Sequence, residues 1–213
     1  MEHPDNPVLL YITDPMCTWC YGFTPVVRRL KALWRDRITI KTLFGGLNPF
    51  PAEPLSHEQK EQMAVAWHRV QQRTGLPFDY RFFLWKDYFY NTEPACRALL
   101  CVRLLRPGLT MEVFRAMASA FHAGNRDITQ THELVKIAEL FGIRENLFLT
   151  LFESEEIADQ LQEEFDFVRE LGVSNYPSLL LQKTAGTQVI AKGYCELPVL
   201  EERLLESLQT AHR

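Results

Sequence analysis

No run of apolar residues in this sequence approaches the roughly 20 that a membrane-spanning helix needs, so no membrane partner is expected. A cationic surplus is missing too. Lys and Arg number 23 against 27 Asp and Glu, a formal net charge of −4. Without basic excess there is no electrostatic footprint for phosphates, and no nucleic-acid partner is expected. Five cysteines in 213 residues are too few for a disulfide scaffold. The histidines show no HxxxH or HExxH spacing, and Gly45-Gly46 is not followed by the Lys-Ser/Thr of a phosphate loop. Met1 to Pro7 is polar with no basic segment, and Val8–Ile12 is shorter than a signal-peptide core, so the expected location is cytoplasmic. What the chain does hold is core material. Hydrophobic residues make up 46%, with 14 Phe, 7 Tyr and 4 Trp, as a globular fold requires.

The pattern of elements is β-α-β, then helices, then α-β-β-α. Val8 to Thr13 is short, apolar and β-prone. From about Cys20 to Arg35 the apolar residues Phe23, Val26, Val27, Leu30, Leu33 and Trp34 recur at helical spacing. Pro25 inside this pattern predicts either a first-turn position or a kink. Ile38 to Phe44 reads as a second strand, parallel to the first. After a proline-rich loop at 48–54, the next hundred residues read as helix only. Starts are expected at Ser56, which forms a capping box with Gln59, and at Thr92, Thr110, Thr131, Arg144 and Ser154. Ser178–Gln182 and Gln188–Ala191, joined by a turn at 183–186, predict a hairpin before a closing helix, Leu197 to Leu208. Each β-containing end is too small to bury a sheet alone. The two ends should therefore pair into one sheet with the helical block between them.

The chemistry-bearing motif is Cys17-Thr18-Trp19-Cys20, placed after a strand and in the first turn of a helix. The free N–H groups and positive dipole end stabilise a thiolate there, the condition a redox nucleophile needs. Cys17, the more exposed thiol, is the expected attacker, and Cys20, one turn on, the resolving thiol. A second signal is Gly172-Val173-Ser174-Asn175-Tyr176-Pro177-Ser178. Proline immediately before an apolar strand suits a cis peptide in a tight turn, and in this topology that turn should face Cys17.

Taken together, CxxC after the first strand, a helical insertion and Val-x-x-x-Pro before a hairpin resemble the DsbA-like thiol–disulfide oxidoreductases. The stretches Asp14-Pro15-Met16-Cys17-Thr18-Trp19-Cys20-Tyr21-Gly22 and Asn91-Thr92-Glu93-Pro94-Ala95-Cys96-Arg97-Ala98 are most similar to the FrnE-like branch, the predicted protein-disulfide isomerases. The resemblance implies an α/β, thioredoxin-like fold: a central mixed sheet flanked by helices, formed by 1–50 and 155–213, with an all-helical domain, 51–154, inserted. It also implies that Cys17 is the nucleophile, Cys20 the buried resolving thiol, Pro177 the cis-proline, and Tyr176 a residue that contacts substrate and tunes the thiols. Asp14, Met16, Thr18 and Trp19 are the motif neighbours. Met16, Trp19 and Tyr176 are expected around Cys17, although Asp14 also suits a simple turn before Pro15. No metal or organic cofactor is required. Glutathione is a candidate redox partner, beside thiol- or disulfide-containing protein or peptide substrates. Two departures point away from a strongly oxidising couple. The central dipeptide is Thr-Trp, without DsbA's histidine, and Tyr11 stands where DsbA and thioredoxins bury a carboxylate. A milder couple follows, nearer the isomerase and reductase end of the roughly −120 to −270 mV span.

Rival readings can be weighed on the same residues. A glutathione-dependent isomerase or transferase of the kappa-class or hydroxychromene-carboxylate type would typically replace the first cysteine with serine, and Cys17 is present. A non-catalytic binding scaffold would leave the CxxC slow to alkylate. Zinc on Cys17, Cys20, Cys96 and Cys101 is disfavoured because the latter two lie in a helical pattern rather than on a knuckle. Cys96 and Cys101 read as buried small hydrophobes, and Cys195 as the same, with a surface thiol as its alternative. The aromatic run from Trp67 through Phe78 to Tyr90 reads mainly as packing between helices, with some rings available to line a groove over the thiols.

Overall fold

The computed structural model describes residues 6–183 and 186–209. His3, His212 and part of the turn read at 183–186 lie outside these residues. Strand β1 (Val8–Thr13) is central. It pairs parallel with β2 (Thr39–Phe44) and antiparallel with β3 (Ser178–Lys183), which pairs antiparallel with β4 (Gly186–Lys192). The order is β2-β1-β3-β4, so the two ends of the chain share one mixed sheet. Strand periodicity divides its faces. Leu9 and Tyr11 pack with Phe23, Val27 and Leu30 of helix α1 (Thr18–Trp34) and Leu200 and Leu204 of helix α8 (Leu197–Gln209). Leu10 and Ile12 point the other way, onto Leu180 and Val168, the latter in helix α7 (Glu155–Glu170). This is the expected thioredoxin-like α/β architecture.

Between β2 and α7 run α2 (His57–Thr74), α3 (Glu93–Leu105), α4 (Thr110–His122), α5 (Thr131–Leu140) and α6 (Glu145–Phe152). The Ser56–Gln59 capping box forms in both directions, and Gly75 ends α2 in the left-handed conformation that glycine reaches without strain. Buried Trp67, Phe82, Phe114, Phe121 and Phe148 build a core that continues without a break to Met16, Cys17, Cys20 and Phe44. The helical block is thus packed directly against the thiol-bearing loop.

Three expectations need correction. First, α1 begins at Thr18 as the first-turn placement of the CxxC requires, so the first-turn alternative for Pro25 fails and Pro25 lies in the helix interior. Proline offers no N–H to the Tyr21 carbonyl, and the Thr24 hydroxyl takes that place, donating to it at 2.8 Å. Second, the region after β2 is not helix only. Residues 75–92 hold a 3-10 turn, Tyr80–Leu84, within irregular chain, and Pro107–Leu109 forms another. Aromatics without helical periodicity wrap Trp67, whose ring meets Phe78, Phe82 and Phe83 at centroid separations of 5.2, 5.2 and 4.8 Å. Third, Cys195 is only half-buried, because it follows Gly193 in the loop between β4 and α8 rather than lying in an element.

Candidate redox site

Cys17 is the N-cap of α1. Its Sγ accepts from the Cys20 N–H at 3.4 Å, so a free amide of the first turn is aimed at the sulfur. The Cys17 thiol in turn donates to the Tyr176 carbonyl at 3.7 Å. Tyr176–Pro177 is a cis peptide. The loop before β3 therefore faces Cys17, and Gly193 closes it from behind by donating to the Pro177 carbonyl at 2.7 Å.

The two thiols differ in access. Cys17 keeps 6% of its surface and Cys20 none. Burial raises the Cys20 thiol well above its ordinary range, and the hydrogen bond and charge of Cys17 add to that. Beneath the pair Tyr11 is fully buried and accepts from the Thr13 hydroxyl at 3.1 Å. Burial raises its phenol as well, so this side chain adds no charge beneath the thiols.

Asp14 does more than turn the chain. It is fully buried, and its carboxylate accepts from the Met16 and Leu47 amides at 2.8 Å each and from the Cys96 thiol at 3.5 Å. It therefore ties the CxxC loop to the segment after β2 and to α3. Burial pushes its carboxyl up, opposed by the two backbone donors. Cys96 is accordingly a hydrogen-bonded neighbour of the site as well as a buried small residue. Met16, expected beside the nucleophile, is fully buried and presents no surface to a substrate. Its carbonyl is held by the Tyr90 hydroxyl. Thr18 is buried at the start of α1, whereas Trp19 is partly exposed.

Trp19 and Tyr176 open onto a cleft of about 640 Å³, lined also by Arg69 and Arg73 of α2, Asn175, Gly193 and Tyr194. Trp19 and Tyr194 meet at 5.7 Å between ring centroids. Arg69, Arg73, Tyr194, Gly45 and Tyr90 escape a reading of sequence alone because their partners lie far away in the chain. Two arginines four apart on one helix face, at positions 69 and 73, were the available signal.

The family model of the DSBA-like thioredoxin domain matches residues 9–204. A proposed protein disulfide isomerase from Nitrosomonas europaea is 35% identical and superposes with a TM-score of 0.91, covering 97% of this chain and 99% of that one. The cytosolic disulfide reductase DsbM from Pseudomonas aeruginosa is 20% identical with a TM-score of 0.76, covering 97% and 100%, and shares the fold. DsbM is also known in a structure with GSH. The ClpXP adapter protein SpxH of Bacillus subtilis is 25% identical over 211 residues, 97% of this chain and 69% of its own. The chain belongs to the DSBA-like thioredoxin domain family.

Proposed function

We propose that this member of the DSBA-like family is a thiol–disulfide oxidoreductase or isomerase working through Cys17 and Cys20. The observation that carries this reading is the N-cap position of Cys17. Its sulfur lies 3.4 Å from the Cys20 amide and 3.7 Å from the carbonyl before Pro177. The Cys17 thiolate attacks a substrate disulfide, one sulfur leaves as a thiolate that takes up a proton, and a mixed disulfide forms. Cys20 then attacks the Cys17 sulfur, losing its proton to solvent, and the second substrate thiolate departs. The pair loses two electrons and the substrate gains them. Two equivalents of a second thiol, with glutathione as the candidate, reduce the pair again and leave joined as their own disulfide. No metal or organic cofactor enters these steps.

Main-chain groups beside Pro177 suit pairing with an extended peptide. Segment 1–50 carries the thiols and forms the thioredoxin-like part together with 155–213, while the helical insert 51–154 covers them. The expected cytoplasmic setting, the similarity to DsbM and the uncharged Tyr11 beneath the thiols favour reductase or isomerase work over net oxidation. The FrnE-like assignment rests on the stretches 14–22 and 91–98.

The similarity to SpxH supports one second reading, an adaptor in which the fold presents a binding surface and the thiols are dispensable. Redox titration of the pair in glutathione buffers separates the two, with Cys96, Cys101 and Cys195 replaced. A reversible two-electron transition and reduction of a protein disulfide are expected. If only a glutathione adduct accumulates and no Cys17–Cys20 disulfide forms, the dithiol mechanism is wrong. Partner binding that survives Cys17→Ser and Cys20→Ser would favour the adaptor.

A further inference from the structure

We infer that the cleft beside Cys17 is a carboxylate-recognising subsite, and that the preferred partner is a small anionic thiol or disulfide. This deepens the oxidoreductase reading and rests on it. The protein is net negative, yet the cleft lining holds two arginines and no acidic residue. Arg73 is half-committed. Its guanidinium pairs with Glu196 at 2.9 Å and lies 5.9 Å from the centroid of the Tyr194 ring. Arg69 forms no ion pair among the described residues. Like charges four apart on a helix repel, so keeping both here works against the helix itself.

The other lining groups complete a binding surface. Asn175 accepts from the Ser174 hydroxyl through its oxygen, which leaves its amide N–H groups as donors at the cleft. Trp19 and Tyr194 supply aromatic faces for the stem of the ligand. Tyr176 belongs both to the cleft and to the loop whose carbonyl meets the Cys17 thiol. A ligand seated here thus has its sulfur directed toward Cys17 and its carboxylate toward Arg69. About 640 Å³ lies within the roughly 300–1,000 Å³ of small-molecule sites, the scale of a short peptide rather than a folded partner. An acidic segment flanking a protein cysteine offers the same chemistry, and the experiment distinguishes the two sources.

The test has a chemical arm and a binding arm. In the first, fully reduced protein reacts in single turnover with three small disulfides: dianionic dithiodipropionate, neutral hydroxyethyl disulfide and dicationic cystamine. The anionic reagent should react fastest. The anionic-to-cationic rate ratio should fall about threefold in Arg69→Gln and roughly tenfold or more in Arg69→Glu, the scale of exposed ion pairs. It should also shrink toward unity in about 1 M salt, where the screening length is near 3 Å. In the second arm, S-methylglutathione, which has no free thiol, is titrated by chemical-shift mapping. Binding should perturb Trp19 and Asn175 and weaken in Arg69→Glu. A glutathione disulfide that outpaces an acid-flanked peptide disulfide identifies the small-thiol source, and the reverse order overturns it. Exchange with all three reagents at a ratio blind to Arg69 overturns the subsite while leaving the oxidoreductase reading intact. Binding of S-methylglutathione without any exchange does the opposite.

Discussion

Replacing Gly45 by alanine should damage the site from the far end of β2. A Cβ at this position would lie 2.0, 2.4 and 2.6 Å from Cε1, Cζ and Oη of Tyr176. Carbon atoms do not approach that closely, so either the phenol or the end of β2 must move. The same ring donates its hydroxyl to the Gly45 carbonyl at 2.7 Å. Losing that bond costs about 1 kcal/mol. Forcing a methyl into a filled space adds about 1–3 kcal/mol. Stability should therefore fall by about 2–4 kcal/mol, read as a lower urea midpoint at unchanged slope. Because the Tyr176 carbonyl receives the Cys17 thiol, the rate of Cys17 with a disulfide reagent should change in the same variant. Removing the ring gives the control. Tyr176→Ala has its own cost, but Gly45→Ala added to it no longer meets the three ring atoms nearest its Cβ. The two losses should fail to add by about 1 kcal/mol or more. A Gly45→Ala protein within about 0.5 kcal/mol of the original, or losses that add in full, would refute the close-approach argument.

Three further outcomes follow from buried polar groups. Burial holds the His122 imidazole down at about 4, where its Nδ1 meets the Ala118 carbonyl at 2.9 Å. The unfolded chain then binds this proton first, so the stability present above about pH 6.5 should be lost as pH falls toward about 4, on the order of 3 kcal/mol. Asp14, whose carboxyl is raised by burial, acts with the opposite sign, so the comparison must be with His122→Phe, whose urea midpoint should fall less steeply over that window; matching slopes would contradict it. Glu164 accepts the Phe44 N–H at 2.6 Å and grips Arg103, which reaches the Thr42 carbonyl at 2.8 Å, so this pair seals the outer edge of β2. Glu164→Gln should cost about 1–3 kcal/mol and speed hydrogen exchange at Phe44, and an unchanged exchange rate would argue against the seal. Thr24→Val should leave the Tyr21 carbonyl unserved above Pro25 and cost about 1–3 kcal/mol in urea unfolding.

The features legible in the sequence are those whose physics is local. Ser56 and Gln59 are three residues apart and cap their helix as read. The CxxC spacing puts one thiol a helical turn from the other, and the short apolar run Val8–Thr13 forms the buried strand it suggests. The aromatic stretch near 78–90 had no period to read, and it resolves into a 3-10 turn around Trp67, with Leu84 and Phe89 left exposed. What surrounds the thiols is written across long separations. Tyr90 reaches Met16 over 74 positions, Tyr176 reaches Gly45 over 131 and Cys17 reaches Tyr176 over 159. None of these pairs leaves a periodic trace, because each is set by how the helical block and the hairpin close on the loop after β1. Gly45 shows the consequence. Beside Gly46, whose φ of +62° explains itself as a turn, it reads as the same punctuation. Its actual constraint is a phenol ring from the other end of the chain. Local patterning therefore discloses two thiols one helical turn apart, whereas what surrounds Cys17 depends on contacts that exist only once both ends of the chain share a sheet.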